Sequence, residues 1–290
     1  MKKLQVAVIG LGKLGTACAL ALLEHGELAL AGMVVRRPVA REALPGRLRH
    51  HPAVLHVRDL PPVDAALVCV PTESVAQVAR ELLQAHIAVV ECASLDDRAL
   101  AAHYALFDDM TRAYRGKAVV GAGWEPGLLP AFKRAFDVLI PRGQDTLRRH
   151  PGVGLHHSAV VAHLPGVKDA LVGEYRGDGG ALQRYVYVER ERGADGEQVR
   201  TAILADPMFA GEATQVFVVD SLSEIEAEAG QGLVLERLGV ASAGVHASLL
   251  LEARFDPSAF AAQVMLDAAR QLPALTHGAH RYALPSHDGD

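Results

Sequence analysis

The chain has 290 residues, half of them apolar and 22% charged, a length and balance that suit a two-domain globular protein. Its formal net charge of −5 argues against a general nucleic-acid surface, which needs a basic stripe. No apolar run reaches the roughly 20 residues that span a bilayer, and the run after Met-Lys-Lys breaks at Gly10, short of a secretory core of about 7–15 residues; neither membrane nor export is expected, and the chain reads as cytoplasmic.

LQVAVIG, a continuous apolar run closed by glycine, predicts a buried parallel strand. LGTACALALLEHG predicts a helix ended by Gly26. LALAGMVV is a second strand that stops at Arg36-Arg37, and VLHV (54–57) a short third. DAALVCVPT (64–72) and IAVVEC (87–92) are further buried strands around the amphipathic helix SVAQVARELLQAH (74–86). A helix over 96–114 and the strand KAVVGAG (117–123) follow. Such alternation specifies an α/β, Rossmann-type parallel sheet with right-handed crossovers, here over residues 1–125.

Beyond about residue 130 the pattern changes. QRYVYVERE (183–191) alternates as a half-exposed antiparallel strand does, TQVFVVDS (214–221) and ASLLLEARF (247–255) are strands, and EQVRTAIL (197–204) is a helix. These runs predict an α+β domain over 126–256. SAFAAQVMLDAARQL (258–272) opens a C-terminal helix and tail over 257–290 whose return to the first domain the sequence does not fix. RGDGG (176–180) and RGADGE (192–197) read as turns, and LPSHDGD as a fraying tail.

Gly10-Leu11-Gly12-Lys13-Leu14-Gly15 joins the first strand to the first helix, the context a dinucleotide fingerprint requires. Gly10 permits the tight turn, Gly12 lets a pyrophosphate approach, and Gly15 lets helix pack on strand; Lys13 and Leu14 open the helix whose amides face the phosphates. After the second strand, where an NAD site carries an acid for the ribose hydroxyl, stand Arg36 and Arg37, suited to a 2′-phosphate. NADP is therefore expected over NAD, against the alternative of a solvated basic pair. Val70, Pro71 and Thr72 end one central strand and Cys92 follows another, so they border the cofactor; Thr72 reads equally as a helix N-cap. Cys18, Cys69 and Cys92 lack ligand spacing and read as buried thiols, and the 14 histidines show no zinc pattern.

GAGWEPG follows the last of these strands and holds the only tryptophan, Trp124, beside Glu125. Pro126 biases Glu125 toward extended backbone, which predicts a stiff turn presenting both side chains. They form one wall of an active site, or else Trp124 packs between domains and Glu125 is a surface acid or cap.

VAVIGLGKLG, the Arg pair and GWEPG together resemble the meso-diaminopimelate dehydrogenase family, whose turn reads GWDPG. HHSAVVAHLPGVKDALVGEY (156–175) and ADPMF (205–209) are similar to further family segments. The resemblance implies NADP-dependent oxidative deamination of a D-configured amino-acid centre, a second domain that binds substrate and dimerises, and a homodimer. It places Trp124, Glu125 and Glu91 at the substrate as catalytic residues, the two carboxylates facing its ammonium. The family's His-Gly-Gly segment corresponds to LGVASAG (238–244), which has no histidine, so a shorter or more apolar amino acid than diaminopimelate is expected. Two other readings stay open: another NADP-dependent Rossmann reductase acting on an imine or carbonyl, and a non-catalytic NADP-binding sensor.

Overall fold

The computed structural model describes residues 3–93, 95, 97–151, 155–176, 182–209, 211, 213–222, 231–240 and 247–284. In chain order the strands are β1 (Leu4–Ile9), β2 (Leu28–Val34), β3 (Ala53–Val54), β4 (Ala65–Val68), β5 (Ala88–Glu91), β6 (Lys117–Val120), β7 (Gly143–Pro151), β8 (Val167–Arg176), β9 (Leu182–Arg190), β10 (Ala213–Val219), β11 (Gln231–Gly239), β12 (Ser248–Phe255) and β13 (Gly278–Arg281). The helices are α1 (Lys13–Glu24), α2 (Thr72–Gln84), α3 (Asp97–Tyr114), α4 (Leu129–Leu139), α5 (Leu155–Val161), α6 (Gly196–Ala205) and α7 (Pro257–Gln271). The chain divides into two compact units, Met1–Ala135 with Pro257–Asp290, and Phe136–Asp256. The RGDGG turn from 177, the segment 241–246 and the tail from 285 lie outside the described residues.

The first unit is a seven-stranded sheet in the order β13-β6-β5-β4-β1-β2-β3, parallel throughout. Its central strands are buried on both faces, which is why their sequences are unbroken apolar runs. Cys18, Ala19 and Leu22 of α1 meet Met265, Leu266 and Ala269 of α7 on one face. On the other, Val75, Ala79, Leu82 and Leu83 of α2, at helical spacing, join Phe107 of α3. Each large side chain withdrawn from water there contributes about 1.5–3 kcal/mol. β3 ends at Val54, and Val57–Asp59 is a 3₁₀ turn, so the third strand is shorter than VLHV suggests. β13 adds an edge strand, anchored by the Tyr104 hydroxyl donating to the Ala279 carbonyl at 2.8 Å.

The second unit holds two three-stranded sheets, β12-β11-β7 and β10-β9-β8. The first is antiparallel and is pinned by buried Arg237, whose Nε donates to the Ile140 carbonyl at 2.8 Å and whose Nη1 lies 2.5 Å from Asp145 and 2.8 Å from Asp137. The second is mixed. β9 runs antiparallel to β8 but parallel to β10, so the alternating stretch at 183–191 is an antiparallel strand on one side only. Val186 and Val188 face Ile203 of α6 and Phe209 in the core. Tyr185, Tyr187 and Phe217 gather on the opposite face, with ring centroids 5.3 and 5.7 Å apart.

Candidate functional site

The glycine loop sits where β1 has β2 on one side and β4 on the other, the switch point at which open α/β sheets hold ligands. Gly10 has φ +92, backbone that favours glycine, and its N–H donates to the Val34 carbonyl at 2.8 Å. A Cβ placed on Gly15 would lie 1.9 Å from the Gly10 carbonyl oxygen, so α1 rests directly on the loop. Gly12 occupies the N-cap with no side chain capping the first turn, and a Cβ there would meet nothing within 4 Å. First-turn amides without a side-chain cap, beside the open space at Gly12, are what a pyrophosphate requires; Lys13, Leu14 and Gly15 open that turn. Cys69 and Val70 close the loop's other side: a Cβ on Gly10 would lie 2.5 Å from the Cys69 carbonyl oxygen and 3.2 Å from Val70. Pro71, not Thr72, takes the N-cap of α2, without a side-chain cap bond, and Thr72 is the first helical residue. Arg36 and Arg37 are exposed just past β2, so no neighbouring packing stands between them and a ligand.

The ends of β5 and β6 place the remaining candidates. Cys92 is half-buried beside Gly123, where a Cβ would lie 3.1 Å from its own. Burial, then Glu91 and Cys18, pushes the Cys92 thiol up to about 12. A hydrogen bond with Cys18 and burial likewise hold Cys69 well above its ordinary value, so both remain protonated packing groups.

Trp124–Leu128 forms a five-residue π-helical turn capped by Gly123, not the extended segment expected at Glu125. Pro126 falls in the first helical turn, where its missing N–H has no partner to lose. A Cβ on Gly127 would lie 2.5 Å from the Gly121 carbonyl and 2.8 Å from the Tyr282 ring, so the turn closes only around glycine. Trp124 is 7% exposed, with Phe132 at 6.0 Å and Phe260 at 5.5 Å between ring centroids; within its unit it is largely a packing residue. Glu125, next to it, is exposed.

Glu91 ends β5 with its side chain turned inward. Its side chain has no exposed surface, and its oxygens accept the N–H groups of Ala93 at 2.7 Å and Gly121 at 2.8 Å. Both oxygens are engaged by backbone donors inside the protein. His103 of α3, which no sequence signal singles out, lies 3.4 Å from the same carboxylate. Phe132 and Phe260 lie in the helices α4 and α7 and Tyr282 just after β13, and nothing local in the sequence marks them as supports of the turn. Among the described residues no cluster of three or more His, Cys, Asp or Glu side chains is arranged for a metal, and no helix is long and apolar enough to cross a membrane.

Residues 4–91 match the model of an oxidoreductase family with an NAD-binding Rossmann fold. A meso-diaminopimelate D-dehydrogenase from Bacteroides fragilis is 30% identical over 276 residues, 93% of this chain and 89% of the relative. The chain belongs to the meso-diaminopimelate D-dehydrogenase family. It is an oxidoreductase with a nucleotide-binding Rossmann domain, in a family whose members act on CH–NH2 groups. A second meso-diaminopimelate D-dehydrogenase, from Acetivibrio thermocellus, is 22% identical over 78% of this chain and 72% of its own. The same fold occurs in the C. glutamicum diaminopimelate dehydrogenase bound to diaminopimelate, at a TM-score of 0.61 and 20% identity, covering 97% of this chain and 93% of that one. An engineered D-amino acid dehydrogenase bound to NADP+ superposes with a TM-score of 0.59 at 18% identity, over the same shares of the two chains.

Proposed function

We propose that the chain is an NADP-dependent dehydrogenase that oxidatively deaminates a D-configured amino-acid centre, or runs the reverse reductive amination. One amino acid, NADP+ and water give a 2-oxo acid, ammonium, NADPH and a proton. NADP, when bound, supplies a nicotinamide ring that accepts a hydride from the carbon bearing the amine. The observation that carries the reading is Glu125, an exposed carboxylate on a turn that leaves the same parallel sheet, at the same strand ends, as the glycine loop. That carboxylate accepts N–H bonds from the substrate amino group and orients its Cα–H; once the ammonium has given up a proton to water, hydride loss from the neutral amine leaves an iminium whose positive charge the carboxylate stabilises. Trp124 fixes the direction in which Glu125 points. Exposed Arg36 and Arg37, in place of an acid after β2, favour NADP over NAD. Without the histidine of the family's His-Gly-Gly segment, a shorter or more apolar amino acid than diaminopimelate suits this chain.

The aromatic face of Tyr185, Tyr187 and Phe217, the last 39% exposed, suits a second copy of the chain, giving a homodimer; a cytoplasmic setting agrees with three free thiols. The test is NADPH formation at 340 nm with NADP+ and a panel of D-amino acids, repeated in reverse with 2-oxo acids and ammonium. Amine-dependent turnover that Glu125→Gln abolishes supports the reading. Tight NADPH binding with no turnover across the panel refutes it in favour of a sensor.

A further inference from the structure

Among the described residues Glu91 is the one carboxylate with no exposed surface. Burying an ionised carboxylate costs several kcal/mol unless donors replace its water. Here Ala93 and Gly121 donate backbone N–H groups to it, and the Glu91 carbonyl accepts the N–H of Ala122 at 2.8 Å. One residue at the end of β5 therefore holds two successive amides, 121 and 122, at the point where β6 leaves the sheet. Gly121 has φ +74, and its carbonyl is the atom against which Gly127 closes. The Gly127 and Leu128 amides both donate to the Gly123 carbonyl at 3.1 Å. The path from the Glu91 carboxylate to Trp124 and Glu125 is thus a short run of hydrogen-bonded backbone.

His103 completes the arrangement. Its side chain is 10% exposed, with Nε2 at 3.4 Å from Oε2 of Glu91. Its ring lies on Phe107 at 4.8 Å, and Nε2 makes no hydrogen bond among the described residues. We infer that Glu91 and His103 form a buried latch that sets the pose of the Trp124–Glu125 turn, so both are positioning residues for the substrate wall. A carboxylate is required because both backbone partners are donors. An amide offers one oxygen and turns its NH2 toward the second N–H, while aspartate is a methylene too short to keep both bonds.

The consequence for turnover rests on the function proposed above; the consequence for Trp124 does not. Trp124 is the only tryptophan, so emission and acrylamide quenching of the full chain report the turn alone. In Glu91→Gln the emission shifts to the red and quenching rises, NADPH affinity stays as in the parent, and kcat for the best amine substrate falls at least about tenfold, since small misplacements cost up to about 100-fold. His103→Gln moves all three readouts in the same direction by less. A folded Glu91→Gln protein with unchanged Trp124 emission and quenching overturns the latch. If circular dichroism shows that Glu91→Gln does not fold, His103→Gln decides: unchanged quenching overturns the inference. Should Trp124 respond while the parent protein deaminates nothing, the latch stands and the proposed function falls.

Discussion

Replacing Arg36 and Arg37 together by alanine separates the two cofactors most cleanly. Both arginines are exposed, and nothing in the fold has to open for them to reach a ligand at the end of β2. A charge-assisted hydrogen bond contributes about 1.5–3 kcal/mol, and exposure to solvent puts each arginine at the lower end. Two such bonds to a 2′-phosphate sum to about 3 kcal/mol, or roughly 150-fold in affinity at about 1.4 kcal/mol per tenfold. NADP+ affinity of Arg36→Ala/Arg37→Ala should fall by that factor, while NAD+ affinity holds within about twofold because its ribose carries no phosphate for the pair to bind. Calorimetric titration with both cofactors measures the split. Raising the ionic strength should weaken NADP+ binding to the parent protein far more than to the variant. Equal losses for NADP+ and NAD+, or no loss for either, would refute the assignment of the pair to a phosphate.

Gly15→Ala puts a methyl 1.9 Å from the Gly10 carbonyl; overpacking of this kind costs about 1–3 kcal/mol, and binding of either cofactor should disappear in the same titration. Gly127→Ala meets the Gly121 carbonyl and the Tyr282 ring, so it should lower the melting temperature and shift Trp124 emission without displacing NADP+. The raised thiols of Cys69 and Cys92 and the raised Tyr282 hydroxyl, which burial and its hydrogen bond to Asp267 keep protonated, make stability pH-dependent. The unfolded chain releases these protons first, so stability is full below the ordinary thiol value of 9.0 and falls as pH rises from there toward about 12. Melting curves across that range should show the decline, and Cys92→Ala should flatten it.

The parallel sheet was legible because its central strands are buried on both faces and leave unbroken apolar runs; β1, β4 and β5 fall where those runs predict. GQDTLRRHP of β7 and GAHR of β13 carry no such signal, because an edge or mixed strand is held by backbone pairing and not by its side chains. The glycine loop was legible because every glycine in it answers a local steric demand. The π-helical turn was not, since the local bias of Pro126 against helix at Glu125 is outweighed by contacts with Phe132, Phe260 and Tyr282, two of them more than a hundred residues away. Glu91 shows the same limit in another form. Its position after a strand was plain, but whether it meets a ligand or the backbone depends on Gly121 and His103, and nothing local to IAVVEC reveals them.

α7 packs against α1 across the core of the first unit, with Cys18 and Met265 sulfurs 3.9 Å apart and 247 residues apart in sequence. During synthesis the β1-loop-α1 segment emerges early, but the helix that covers it follows only after all of Phe136–Asp256 has been made. At ribosomal speeds of about 5–20 residues per second the delay is on the order of ten seconds. Through that interval the apolar flank of α1 waits uncovered, open to chaperones or to another nascent chain. The helix that supports the glycine loop is thus made long before the helix that covers its apolar flank.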